Sequence, residues 1–146
     1  MNTTPPPIVI LMADDNEGDR RFVREMLAGS PVGLDIRCVE DGQELMDYLQ
    51  HRGPYGDERA APHPGLILLD LYMPRKTGHE ALQEIRNDPE LCDIPVVVLT
   101  ASQEQSDFWQ CYASGITHLM IKPVNPVAIE NLIEASAAYW RRRHRA

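Results

Sequence analysis

"GLILLDLYMP", Gly65 to Pro74, runs four apolar residues, Leu66 to Leu69, straight into an aspartate. A short apolar run bounded by turn signals suits a strand buried on both faces of a sheet. Charge is expensive to bury, so Asp70 at the end of such a strand needs a reason. The segment before it, residues 53–64 ("GPYGDERAAPHP"), is loop by its glycines and prolines. After it, Thr77 and Glu80 form a T-x-x-E capping box for a helix carrying Ala81, Leu82 and Ile85 and ending near Asp88-Pro89. The unit is therefore strand, then helix.

The same alternation extends in both directions. Upstream, Ile8 to Met12 is a short apolar run followed by a helix with Phe22, Val23, Met26 and Leu27 at helical spacing and Gly29 as a stop. Leu34 to Val39 reads as a second strand, and Asp41 with Glu44 caps a helix carrying Leu45, Tyr48 and Leu49. Downstream, "IPVVVLT", Ile94 to Thr100, is the most β-branched run. Ser102 and Gln105 are read as the cap of a helix over residues 103–114, with Gly115 beyond it. Thr117 to Ile121 is a fifth strand. Asn125 then caps a last helix whose first residue is Pro126 and whose apolar period of 3.6 runs through Ile129, Leu132, Ile133, Ala137 and Trp140. Five strands alternating with five helices predict an α/β fold: a parallel sheet covered on both faces and joined by right-handed crossovers.

At 146 residues the chain has room for one domain with a real core. Residues 1–7 read as a flexible Pro-rich lead-in, 8–140 as the domain and 141–146 as a basic tail. "MNTTPPP" lacks the basic and apolar regions of a secretion signal, and no run is long enough to span a membrane. Three cysteines, Cys38, Cys92 and Cys111, have no metal-ligand spacing and read as buried reduced thiols, which with the missing signal implies a cytoplasmic location. A net charge of -8 argues against binding a nucleic-acid backbone. The terminal "RRRHR", Arg141 to Arg145, suits a helix C-terminus first of all, with docking of an acidic partner as the secondary reading.

Ligands of open parallel sheets bind beyond the carboxyl ends of the strands. Asp14 and Asp15 follow the first run, Asp70 the third, Thr100 ends the fourth and Lys122 follows the fifth. Each has a plain structural explanation alone, but the topology brings all of them to one edge. Three carboxylates there repel one another and raise each other's pKa values; a divalent cation with oxygen preference, Mg²⁺, removes the conflict. With no His or Cys cage, the set suits zinc poorly. An aspartate so placed can act as a nucleophile toward a phosphoryl group. Lys122 can offset the transferred charge and the Thr100 hydroxyl can donate to it.

In these residues the chain resembles the receiver domains of two-component response regulators, over residues 6–140. The acidic pair Asp14-Asp15, Asp70 with "MPRKTGHE" after it, Thr100-Ala101 and Lys122-Pro123 match that pattern in order. "DDNEGD", "RGPYGDERAAPHPGLILLDL" and "RNDPELCDIPVVVLTAS" are similar to the single-domain regulators paired with bacterial phytochrome histidine kinases. The resemblance implies a flavodoxin-like doubly wound (βα)5 fold with strand order 2-1-3-4-5. It implies Asp70 as phosphoacceptor, Lys122 and Thr100 as its catalytic and switching partners, and Mg²⁺ (with Mn²⁺ as a substitute) on Asp15, Asp70 and the Tyr72 backbone carbonyl, with Asp14 acting through water. A sensor histidine kinase is the implied partner, and the helix 103–114, the fifth strand and the last helix are the implied output surface.

One departure stands out. The family's aromatic residue three positions before the lysine is Leu119 here, with His118 beside it. The Thr-to-aromatic relay is therefore replaced, either by backbone shifts of the 100–107 loop or by an output surface left in one state. Phe108 and Tyr112, four apart on one helix face, together with Trp109, Tyr139 and Trp140, either pack beneath the last helix or form a dimer or partner surface. Two alternatives compete with a phosphoaccepting switch. A receiver-like platform independent of phosphorylation is favoured by Leu119 alone. An aspartate-nucleophile phosphatase would need a second aspartate where Tyr72 stands. A dinucleotide fold fails because "MADDNEGD" lacks a glycine-rich loop.

Overall fold

The computed structural model describes residues 6–144. Its elements alternate strictly: β1 (Ile8–Ala13), α1 (Glu17–Leu27), β2 (Leu34–Val39), α2 (Gly42–Leu49), β3 (Leu66–Leu69), α3 (Gly78–Asn87), β4 (Val96–Thr100), α4 (Gln105–Ala113), β5 (His118–Ile121) and α5 (Pro126–Arg143). A short 3₁₀ turn, Gly53–Tyr55, interrupts the long loop before β3. The five strands form one parallel sheet in the order β2-β1-β3-β4-β5. The parallel sheet is the one the alternation predicts, and its order is the doubly wound flavodoxin-like one that the resemblance implies.

β1, β3 and β4 are buried along their whole length, as expected of central parallel strands. The edges differ: β2 is mostly half-buried, and β5 exposes His118 and Ile121. One apolar layer joins Ile10, Met12, Val23, Leu27, Leu68, Ile129 and Ile133 beneath α1 and α5. On the other face Leu11, Leu45, Met46, Leu69, Leu82 and Ile85 pack beneath α2 and α3. A third, small cluster of Leu71, Val98 and Cys111, flanked by Ile116 and Leu119, lies under α4. α4 thus buries only Asp107 and Cys111, whereas α3 buries Gly78, Ala81, Leu82 and Ile85. No helix of the described residues is long and apolar enough to cross a membrane.

Several local expectations are corrected. Trp140 and Tyr139 are 3% and 8% exposed and are unavailable as a partner surface. Trp140 packs on Gly65, where an added Cβ would lie 2.8 Å from its ring, and its Nε1 donates to the Pro6 carbonyl at 2.9 Å. Tyr139 pairs through its hydroxyl with His63 Nε2 at 2.7 Å. Of the four apolar residues at helical spacing in α1, Phe22 is 46% exposed, while Val23 and Leu27 are buried. Arg141–Arg143 form the last turn of α5, the helix C-terminus that such cations suit, and His144 is the C-cap. Of the cysteines only Cys111 is buried; Cys38 and Cys92 are half-buried, and all three are free thiols. Residues 1–5 of the N-terminal lead-in, and Arg145 and Ala146, lie outside the described residues.

Candidate functional site

Strand register assembles the site. Ala13, Leu69 and Val98 are paired across β1, β3 and β4, and Thr100 is paired with Ile121 across β4 and β5. Asp14, Asp70 and Lys122 each follow immediately after a paired residue. The ladder runs on into them: Asp70 N donates to Ala13 O at 3.0 Å, Asp14 N to Val39 O at 3.1 Å and Lys122 N to Thr100 O at 2.8 Å. Gly78, the first residue of α3, lets that helix approach the site closely. A Cβ there would lie 2.2 Å from the Asp70 carbonyl oxygen, and its N–H donates to Leu71 O at 2.8 Å.

The expected residues do converge. One carboxylate oxygen each of Asp14, Asp15 and Asp70 lies within 4.8 Å of the others. Asp14 is fully buried, Asp70 is 8% exposed and Asp15 is exposed. Lys122 Nζ donates to Asp14 Oδ2 at 2.7 Å and to Asp70 Oδ2 at 3.3 Å. Thr100, fully buried, accepts at Oγ1 from Ser102 N at 3.1 Å. The Tyr72 N–H points at Asp70 Oδ1, 3.4 Å away.

Electrostatics follow from this packing. Burial, more than the neighbouring charges, pushes the Asp70 carboxyl up to about 6. Lys122 lowers it and Asp14 raises it, so repulsion among the carboxylates is the smaller part of the shift. For Lys122 burial alone would lower the pKa. The hydrogen bonds to Asp14 and Asp19, with the charge of Asp70, outweigh burial and hold the ammonium above its ordinary value. The donor set is all oxygen, without imidazole or thiolate, and it fits a hard divalent cation.

Sequence reasoning missed two residues. Asp19, in the first turn of α1, accepts from Lys122 Nζ at 2.7 Å, so the ammonium bridges three carboxylates. Asp107, in the first turn of α4, is 7% exposed and accepts three hydrogen bonds. Its donors are the Tyr72 hydroxyl, Ser102 Oγ at 2.6 Å and His79 Nε2 at 3.0 Å. The Ser102, Tyr72 and His79 bonds hold the Asp107 carboxyl below its ordinary range, and the Asp107 contact raises the Tyr72 phenol. Ser102 was expected to cap α4. Its hydroxyl does accept from Glu104 N at 3.2 Å, but the N-cap is Glu104, whose side chain makes no cap bond.

The remaining predicted residues lie apart from this cluster. Leu119 is half-buried beside Cys111 and Val98. Phe108 is half-buried, while Tyr112 and Trp109 are 53% and 73% exposed. With Gln105 these three aromatic residues line a shallow apolar depression on α4.

Residues 10–134 match the family model of the response regulator receiver domain. The chain belongs to that family. The receiver domain is 36% identical to Response regulator Rcp1 of Synechocystis over 135 residues, covering 92% of this chain and 90% of that protein. Among solved structures it is similar to the phosphorylated cyanobacterial phytochrome response regulator RcpA, with a TM-score of 0.77 at 36% identity, covering 92% of this chain and 94% of that one. The bacteriophytochrome response regulator AtBRR superposes with a TM-score of 0.78 at 32% identity, covering 91% and 94%. Rcp1 has also been solved in a Mn²⁺-bound form, which matches with a TM-score of 0.76. The fold, the strand order and the placing of this receiver domain among the response regulators stand on these likenesses.

Proposed function

We propose that this protein is a stand-alone response regulator that accepts a phosphoryl group on Asp70 from a sensor histidine kinase of the phytochrome type. The observation that carries the reading is the strand-end cluster: Asp70 beside Asp14 and Asp15, with Lys122 bonded to Asp70 and the Thr100 hydroxyl at the neighbouring strand end. Its similarity to phytochrome response regulators, one of them phosphorylated, supports the choice of kinase.

Asp15, Asp70 and the Tyr72 carbonyl would hold Mg²⁺, with Asp14 acting through water and Mn²⁺ as a substitute; the Mn²⁺-bound form of Rcp1 supports this. Bound there, the cation supplies charge neutralisation for the phosphoryl oxygens. An Asp70 oxygen forms a bond to phosphorus as the P–N bond of the donor's phosphohistidine breaks, and the imidazole nitrogen keeps the electron pair. Lys122 transfers part of its pairing from the carboxylates to the new phosphoryl oxygens. Thr100 turns its hydroxyl toward them. The protein catalyses only its own phosphorylation and dephosphorylation. Phosphorylation adds about -1.5 to -2 charge to the pocket and shifts α4, β5 and α5 between two arrangements, for partner docking or self-association through Phe108 and Tyr112. The site of action is the cytoplasm, and neither nucleic acid nor membrane is a partner.

Intact-mass analysis after incubation with acetyl phosphate tests this reading. Wild type gains one phosphoryl adduct, dependent on Mg²⁺, and Asp70→Asn gains none. Absence of an adduct in wild type would favour the one competing reading, a platform independent of phosphorylation, which Leu119 in place of an aromatic residue supports.

A further inference from the structure

The network around Asp107 joins segments that flank the phosphoacceptor on both sides. Tyr72 lies two residues beyond Asp70, and its N–H points at the Asp70 carboxylate while its hydroxyl donates to Asp107. Ser102 lies two residues beyond Thr100. Its N–H donates to the Thr100 hydroxyl oxygen, and its own hydroxyl donates to Asp107. His79, in the first turn of α3, supplies the third bond. A carboxylate on α4 is thus held by both loops whose backbone must respond to chemistry at Asp70. Three donors leave this buried acid little unused acceptor capacity, so loss of any one is felt.

The rest of α4 makes this tie consequential. Cys111 is the one buried apolar side chain of the helix, and the helix N-cap has no side-chain bond of its own. The far end is held differently: Arg86 Nε donates to Ser114 O at 3.1 Å and Gln83 Nε2 to Ser114 Oγ at 2.9 Å. Asp107 therefore fixes one end of a helix whose other end is independently anchored. Releasing it frees the first turn to swing about the Ser114 end. Leu119 offers no aromatic or polar group through which a movement of Thr100 would be passed on.

We infer that Thr100, Ser102 and Asp107 form the relay that couples phosphorylation to α4 in this protein, with Asp107 the positioning residue that holds the helix in its resting place. The inference rests on the phosphoacceptor reading of Asp70. When Thr100 turns toward a phosphoryl group, Ser102 N–H loses its acceptor. The 100–104 loop then shifts, Ser102 Oγ leaves Asp107, and the first turn of α4 is loosened, its carboxylate held by the Tyr72 and His79 bonds that remain. Coupling is reciprocal for the equilibrium between the two arrangements: cutting the tie favours the arrangement of α4 that phosphorylation favours.

Hydrogen–deuterium exchange over residues 105–113, with intact mass recorded on the same samples, tests this for wild type, Asp107→Ala, Ser102→Ala and Ser102→Thr. Each is measured before and after treatment with acetyl phosphate and Mg²⁺. Wild type is expected to gain exchange in the first turn of α4 on phosphorylation. Asp107→Ala and Ser102→Ala should show that fast exchange beforehand, gain no more, and form the adduct faster than wild type, because they already populate the arrangement that phosphorylation favours. Ser102→Thr keeps the hydroxyl and should behave as wild type. Ser102→Ala removes one oxygen atom and keeps the test informative should Asp107→Ala fold poorly. A purely structural Asp107 would leave the phosphorylation-dependent gain and the adduct rate unchanged in Ser102→Ala, and that result overturns the relay alone. Absence of an adduct in wild type overturns the phosphoacceptor reading and the relay with it.

Discussion

α3 and α4 lie against the same face of the sheet, and each carries an acid at its third position. α3 closes its first turn on itself: Thr77 Oγ1 accepts from Glu80 N and the Glu80 carboxylate accepts from Thr77 N, both at 3.2 Å. α4 leaves its N-cap without a side-chain bond and turns Asp107 across to Tyr72, Ser102 and His79. The first arrangement depends on nothing outside the helix. The second makes the start of α4 conditional on two loops beside Asp70. Under the proposed switch, the helix that moves is held by bonds that other segments can withdraw, and the helix that stays is held by its own sequence and by apolar burial.

The largest expected effect lies in that apolar contrast. Ile85→Ala, at a fully buried position on α3, should destabilise the protein by about 3 kcal/mol, read from the urea midpoint. Cys111→Ala on α4 should shift it by roughly 1 kcal/mol. Equal losses would erase the distinction between the two helices.

Between them lies Asp70. Its carboxyl titrates near 6 in the fold against about 3.9 in an unfolded chain, so the folded state holds the extra proton between those values. Its contribution to stability is therefore greatest below pH 4, falls as pH rises toward 6 and stays low above it. In EDTA at pH 7.5, Asp70→Asn should raise stability by up to about 2 kcal/mol, and the gain should vanish near pH 4. A destabilised Asp70→Asn at pH 7.5 would mean that the Lys122 ion pair outweighs burial.

Smaller effects sharpen the comparison. Thr77→Ala removes one half of the capping box and should cost about 1 kcal/mol while leaving the rate of phosphoryl uptake from acetyl phosphate unchanged. At the exposed Trp109 and Tyr112, substitution by serine should alter stability by less than about 0.5 kcal/mol but abolish any phosphorylation-dependent change in sedimentation. Unchanged sedimentation behaviour would remove this face from the output surface.

The contrast also marks what a sequence discloses. β1, β3 and β4 are legible because central parallel strands are continuous apolar runs. α2, α3 and α5 are legible because Asp41, Thr77 and Asn125 accept from their own first turns, as the pattern predicts. Asp14, Asp70, Thr100 and Lys122 are legible because topology alone carries strand ends to one edge. Asp19 and Asp107 are not. An acid in the first turn of a helix ordinarily serves the helix, whereas these two accept from Lys122 and from Tyr72, Ser102 and His79, partners distant in sequence or on other segments. Trp140 fits an apolar period whether it faces the core or a partner. Gly65 decides for the core, by leaving room for the indole, and that pairing spans most of the chain.

Borohydride trapping tests the central claim most directly, since an aspartyl phosphate is an acyl phosphate that hydride reduces to homoserine. After treatment with acetyl phosphate and Mg²⁺, peptide mapping should find homoserine at position 70, and at neither 14 nor 15. Homoserine at either of those positions, or at none, would contradict the assignment of Asp70 as the phosphoacceptor.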